Sequence, residues 1–138
     1  MAKLSVDKLE ARGKTVLLRV DFNVPIENGR VGDDTRVRAS LPTIRHLLGQ
    51  GAKLVLCSHL GRPKGKPEPK YSLAPVAKHL QTLLGKPVAF SPEIVGPAAQ
   101  QAAQALQPGG LLLLENLRFD PREEKNDPAF AKELAALA

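Results

Sequence analysis

Lys53-Leu-Val-Leu-Cys-Ser-His-Leu-Gly-Arg-Pro-Lys-Gly-Lys66 changes character halfway along, and that change decides the fold. Leu54–Leu56 is an apolar run of the length and bulk of a buried strand. Ser58, His59, Gly61, Arg62, Lys64, Gly65 and Lys66 then follow where a parallel strand delivers its carboxyl end. In open α/β sheets ligands bind at that edge. A cationic, glycine-containing turn there suits an anion, a phosphate above all. Two more apolar strands end in polar residues: Thr15–Val20 runs into Asp21-Phe22-Asn23, and Leu111–Leu114 into Glu115-Asn116-Leu117-Arg118.

Between these strands the pattern is helical. Val37, Leu41, Ile44, Leu47 and Leu48 recur at helical spacing, with Pro42 inside the pattern. That proline predicts a helix that starts near Ser40 or is kinked there, stopping near Gly51. Ser72 reads as the N-cap of a second helix with an apolar face of Leu73, Val76, Leu80, Leu83 and Leu84, ended by Gly85 and Pro87. Val88–Phe90 reads as a short strand. Gly96-Pro97 opens an alanine-rich helix closed by Pro108-Gly109-Gly110, and Asp127-Pro128 caps a last one carrying Phe130, Leu134 and Leu137. Asn28-Gly29 is a tight-turn signal, and Lys64–Lys70 is a Pro/Lys-rich loop. Strand–helix alternation of this kind implies an α/β fold, a three-layer Rossmann-like parallel sheet with helices on both faces.

The chain of 138 residues has the length of one domain. Aromatics make up 4% of it, so Leu, Val, Ile and Ala must build the core. Its net charge of +6 favours anionic partners. The basic residues are dispersed, with no aromatic stacking motif among them, which suits a small phosphorylated metabolite better than nucleic acid. Cys57 is the only cysteine, so no internal disulfide can form. The first residues lack the apolar core of a signal peptide, and Leu111–Leu114, the longest strongly apolar run, is far too short for a bilayer. A soluble, cytoplasmic protein without a membrane partner is the expectation.

Individual residues admit two readings each. Asp21 and Asn23, two apart in extended chain, point the same way and suit hydroxyl recognition. They equally suit a turn whose side chains satisfy its own backbone. Arg36 can fork onto a carboxylate or phosphate, or pair with a neighbouring aspartate. Asp33-Asp34 reads as a helix start rather than a metal site. His59 with Gly61 and Arg62 reads as a phosphate cradle. Arg118 either joins it or salt-bridges to Glu115 or Glu123. Gly61–Lys66 is not a P-loop: its glycines are one residue too close, and Pro67 stands where Ser or Thr is required. There is no GxGxxG.

Arg19-Val-Asp-Phe-Asn-Val-Pro25, Asp33-Asp-Thr-Arg36, Ser58-His-Leu-Gly-Arg-Pro-Lys-Gly65, Lys70-Tyr-Ser-Leu73, Leu112-Leu-Leu-Glu-Asn-Leu-Arg-Phe119 and Glu123-Glu-Lys-Asn126 together resemble the motifs of the phosphoglycerate kinase family, in family order and spacing. The resemblance implies reversible phosphoryl transfer between 1,3-bisphosphoglycerate and ADP, giving 3-phosphoglycerate and ATP, in glycolysis or carbon fixation. It implies that Asp21 and Asn23 contact the glycerate and that His59, Arg62 and Arg118 bind the phosphate that stays. Arg36 is then the catalytic residue at the reacting carboxyl. Family members are usually monomeric and use Mg2+ with ATP or ADP on a carboxy-terminal domain.

The chain resembles only the first third or so of such a protein. Residues 1–138 are expected to be a partial phosphoglycerate-binding amino-terminal domain. The rest of its sheet, a further phosphate-binding arginine, the hinge and the nucleotide domain are expected to lie outside these residues. No cofactor and no metal is expected on these residues, and the chain alone is expected to be inactive. The alternative is a non-catalytic 3-phosphoglycerate or anion-binding remnant, or a piece that needs a complementary carboxy-terminal one.

Overall fold

Apolar side chains alternate along each central strand, and that alternation sets the layers. The structure, a computed structural model, describes residues 13–27, 30–61, 71–120 and 128–137. In chain order it contains β1 (Thr15–Arg19), the short strands β2 (Ile26–Glu27) and β3 (Arg30–Val31), α1 (Thr35–Gly49) and β4 (Lys53–Cys57). There follow α2 (Ala74–Leu84), β5 (Ala89–Ser91), α3 (Pro97–Gln104), β6 (Leu111–Leu114), a 3-10 turn (Leu117–Phe119) and α4 (Pro128–Ala135). The main sheet has the order β1-β4-β6-β5 and every pairing in it is parallel. Leu17 lies beside Val55, and Val55 beside Leu112, so the strands deliver their carboxyl ends to one edge.

Strand residues two apart share a face. Leu54, Leu56, Leu111 and Leu113 pack with Val37, Leu41, Ile44 and Leu47 of α1 and Val76 and Leu80 of α2. On the other face Val55, Cys57, Leu112 and Leu114 meet Ala99 and Ala103 of α3 and Phe130 and Leu134 of α4. The three layers expected from the sequence are therefore present. Leu113 is fully buried within the first core. Its truncation to alanine should cost about 2–5 kcal/mol, since lost transfer energy and a residual cavity add. Urea unfolding measures this, and a loss below about 1 kcal/mol would contradict the packing.

Of the two expectations for the first helix, the start near Ser40 is not met: it starts at Thr35 and includes Pro42. Proline inside a helix costs roughly 3 kcal/mol. The four buried side chains of α1 each return about 1.5–3 kcal/mol when buried. Packing outweighs the lost hydrogen bond. Ser72 also sits differently. α2 begins at Ala74 with Leu73 as its N-cap residue, while Ser72 Oγ accepts from the Ala74 amide at 3.2 Å. β5 lies one residue later than expected and takes in Ser91. The antiparallel pair β2–β3 is too short to leave a period in the sequence. The Asn28-Gly29 turn between those strands, the Lys64–Lys70 loop and the Asp127 cap lie outside the described residues. Among the described residues no helix is long and apolar enough to cross a membrane.

Candidate substrate site

Three strand ends are stitched together by buried polar groups before any ligand is considered. Beyond β1, Phe22 and Val24 turn into the core while Asp21 and Asn23 alternate outward. The Phe22 amide donates to Ser58 Oγ at 2.9 Å, and the Ser58 hydroxyl donates to the His59 carbonyl at 3.0 Å. The Leu117 amide donates to the Ser58 carbonyl, also at 3.0 Å. Ser58, itself fully buried, thus joins the ends of β1, β4 and β6.

The outward-facing residues form a second chain of bonds. Asn23 Oδ1 accepts from the Gly61 amide at 2.9 Å, and the Asn23 carbonyl accepts from Arg36 at 2.8 Å. The same Arg36 nitrogen lies 3.7 Å from Asp21 Oδ1. Arg118 donates to the Gly61 carbonyl at 3.3 Å. Arg36, Asn23, Gly61 and Arg118 are therefore linked in sequence across the carboxyl edge of the sheet. A cleft of about 400 Å³ opens beside them, lined by Asn23, Val24, Pro25, Asp33, Thr35 and Arg36. His59 is half-buried in the same loop as Gly61. Arg62 lies outside the described residues.

The self-satisfying turn at Asp21-Asn23 is present. Asp21 Oδ1 accepts from the Asn23 amide at 3.1 Å, the turn that satisfies itself, yet both side chains still face the edge. Arg36 pairs with Asp21, not with its sequence neighbours. Asp33 instead accepts from the Thr35 amide at 3.0 Å and its hydroxyl at 2.6 Å, as a helix start should. The Thr35 hydroxyl, with its amide, holds the Asp33 carboxyl below the usual carboxylate range. Asp34 accepts from Arg38 at 2.9 Å and lies 2.8 Å from His79 Nε2 on α2. The hydrogen bond with His79, and then that with Arg38, holds Asp34 below its ordinary value as well.

A depressed carboxylate contributes stability above its unfolded pKa and loses it as pH falls through the folded one. His79→Gln should therefore lower stability at pH 6–7, and its difference from the parent should shrink through the acid range below about pH 4. Urea midpoints across that range measure this. A difference independent of pH would exclude the linkage.

Glu115 was a candidate partner for Arg118, but its described bonds go elsewhere. Its carboxylate accepts from the Ser72 hydroxyl at 2.7 Å and from the Leu73 and Asn116 amides at 2.8 Å each. Helix starts leave amides without partners, and a carboxylate there is favoured. Sequence reasoning missed Ser58, Glu115 and Asn116 as organisers. A polar residue directly after an apolar strand was their only signal, and it does not distinguish burial from exposure.

The family model described as phosphoglycerate kinase matches residues 6–138. The chain is 60% identical over 144 residues to phosphoglycerate kinase of Koribacter versatilis, covering 99% of this chain and 36% of that one. It is 59% identical over 138 residues to that of Moorella thermoacetica, covering 100% and 35%. The solved phosphoglycerate kinase of Coxiella burnetii superposes with a TM-score of 0.82 at 38% identity, over 98% of this chain and 33% of that one. The 138 residues span about a third of the length of these relatives. With the family model matched over residues 6–138 and the fold shared with solved members, this chain belongs to the phosphoglycerate kinase family.

Proposed function

We propose that these residues form the glycerate-binding side of a phosphoglycerate kinase, a partial amino-terminal domain spanning 1–138. The reaction passes a phosphoryl group from the acyl phosphate of 1,3-bisphosphoglycerate to ADP, leaving the carboxylate of 3-phosphoglycerate and making ATP. Asp21 and Asn23 contact the glycerate end. His59, Arg62 and Arg118 hold the 3-phosphate. Arg36 stands at the reacting carboxyl and offsets the charge of the phosphoryl group in flight. The observation that carries this reading is the bonded series Arg36–Asn23–Gly61–Arg118, which sets two guanidinium groups along one ligand edge.

The described carboxylates do not fit a Mg2+ site. Asp33 and Asp34 are engaged by Thr35, Arg38 and His79, and no three metal-ligating side chains gather among the described residues. ADP and Mg2+ are assigned to a nucleotide domain outside these residues, so the 138-residue chain by itself should make no ATP. The setting is cytoplasmic carbon metabolism.

Calorimetric titration with 3-phosphoglycerate tests the site. A charge-assisted hydrogen bond is worth about 1.5–3 kcal/mol. Arg118→Ala should accordingly weaken binding roughly 10- to 100-fold. Equal affinity in parent and variant would remove Arg118 from the site. Failure of either to bind would leave the glycerate reading without support in this chain.

A further inference from the structure

Asn116 is fully buried among the leucines at the end of β6, and every hydrogen-bonding position of its amide is used. Its nitrogen donates to the Leu60 carbonyl at 2.7 Å and the Tyr71 carbonyl at 3.0 Å. Its oxygen accepts from the Leu60 amide at 3.1 Å and the Arg118 amide at 3.0 Å. Two donors and two acceptors are the full capacity of an asparagine side chain. Aspartate has the shape but not the donors, and glutamine has the donors but a longer reach.

The four bonds reach three segments that converge on the site. Leu60 precedes Gly61, whose amide holds Asn23 and whose carbonyl receives Arg118. Tyr71 lies with its ring against Gly61, so closely that a Cβ there would collide with it. Arg118 is anchored at its own amide by the same oxygen that holds Leu60. One buried side chain therefore ties the loop that leads into Gly61 to the backbone of Arg118.

We propose that Asn116 is a positioning residue for phosphate recognition: it sets the separation between the Gly61 loop and the Arg118 guanidinium, and acts on the ligand only through them. This rests on the glycerate-site reading above. A ligand that needs both sides at one spacing gains from having that spacing fixed before it arrives, because ordering costs are met in folding rather than in binding.

A double-mutant cycle on the 138-residue chain, read by 3-phosphoglycerate affinity, tests this. Asn116→Asp, which keeps shape and acceptors, should weaken binding about tenfold alone. In an Arg118→Ala background the same change should weaken it less than about twofold, because the residue it positions is gone. Full additivity, with Arg118→Ala itself weakening binding, would overturn the proposal and leave the site reading standing. No effect from Arg118→Ala would overturn the proposal by removing Arg118 from the site, and no binding by the parent chain would remove the glycerate reading itself. Should Asn116→Asp not fold, amide exchange in the unaltered chain decides. The Leu60 and Arg118 amides should already be protected without ligand. If they gain protection only when 3-phosphoglycerate is added, the spacing is not set by Asn116.

Discussion

Arg36→Ala, in a family-length protein carrying these residues, should lower turnover by about 10³–10⁵-fold while changing the KM for 3-phosphoglycerate far less. Phosphoryl transfer asks the protein mainly for position and for charge where charge develops. Arg36 is suited to move to that charge. Its side chain is 53% exposed, and Asp21, 3.7 Å away, is 61% exposed. An ion pair so open to water is worth at most about 1 kcal/mol. Arg36 can leave it for a phosphoryl group at little cost. The one short bond, 2.8 Å to the Asn23 carbonyl, keeps the guanidinium over the cleft meanwhile. Lysine should not substitute, because a point charge cannot fork onto planar oxygens as a guanidinium does. Steady-state kinetics with stability measured alongside separates the effects. A loss below tenfold, or one confined to KM, would take Arg36 out of the chemistry.

Gly61→Ala should have the next largest effect, and for a mechanical reason. Gly61 has φ +62, a left-handed conformation costing roughly 1–2 kcal/mol for a residue with a Cβ. That Cβ would also strike the Tyr71 ring, and forcing the ring aside adds typically about 1–3 kcal/mol. The loop that gives way holds Asn23 by its amide and Arg118 by its carbonyl. Binding of 3-phosphoglycerate should fall by about tenfold or more as both partners lose their register. Gly51 supplies the control. Its φ is +81, but a Cβ there meets nothing within 4 Å. Gly51→Ala should cost the backbone strain alone and leave ligand affinity unchanged. Equal losses at the two positions, by urea unfolding and calorimetry, would exclude the Tyr71 contact as the cause.

Much of this was legible from local pattern. Leu54–Leu56 and Leu111–Leu114 announced buried parallel strands because both faces of such strands are covered, and the structure puts helices on both. The outward alternation of Asp21 and Asn23 around Phe22 followed from strand geometry. Other features depended on contacts far apart in sequence. Pro42 argued for either a start near Ser40 or a kink there, and the helix begins earlier, at Thr35, with Val37 already packed in the core. Glu115 stood beside Glu123 as one alternative partner for Arg118, whereas the helix start at Ser72 and Leu73 claims it across more than forty residues. Asn116 carried only the signal of a polar residue just past an apolar strand, which does not tell burial from exposure. Its importance lies in three segments that meet only in the folded chain.

The direct test is amide NMR of the isotopically labelled 138-residue chain titrated with 3-phosphoglycerate at low and moderate salt. A site on the carboxyl edge requires dispersed peaks with saturable shifts confined to Asp21–Asn23, Arg36, His59–Gly61 and Arg118, persisting at moderate salt. Shifts scattered over the basic surface and abolished by salt, or none at those residues in a well-dispersed spectrum, would contradict it.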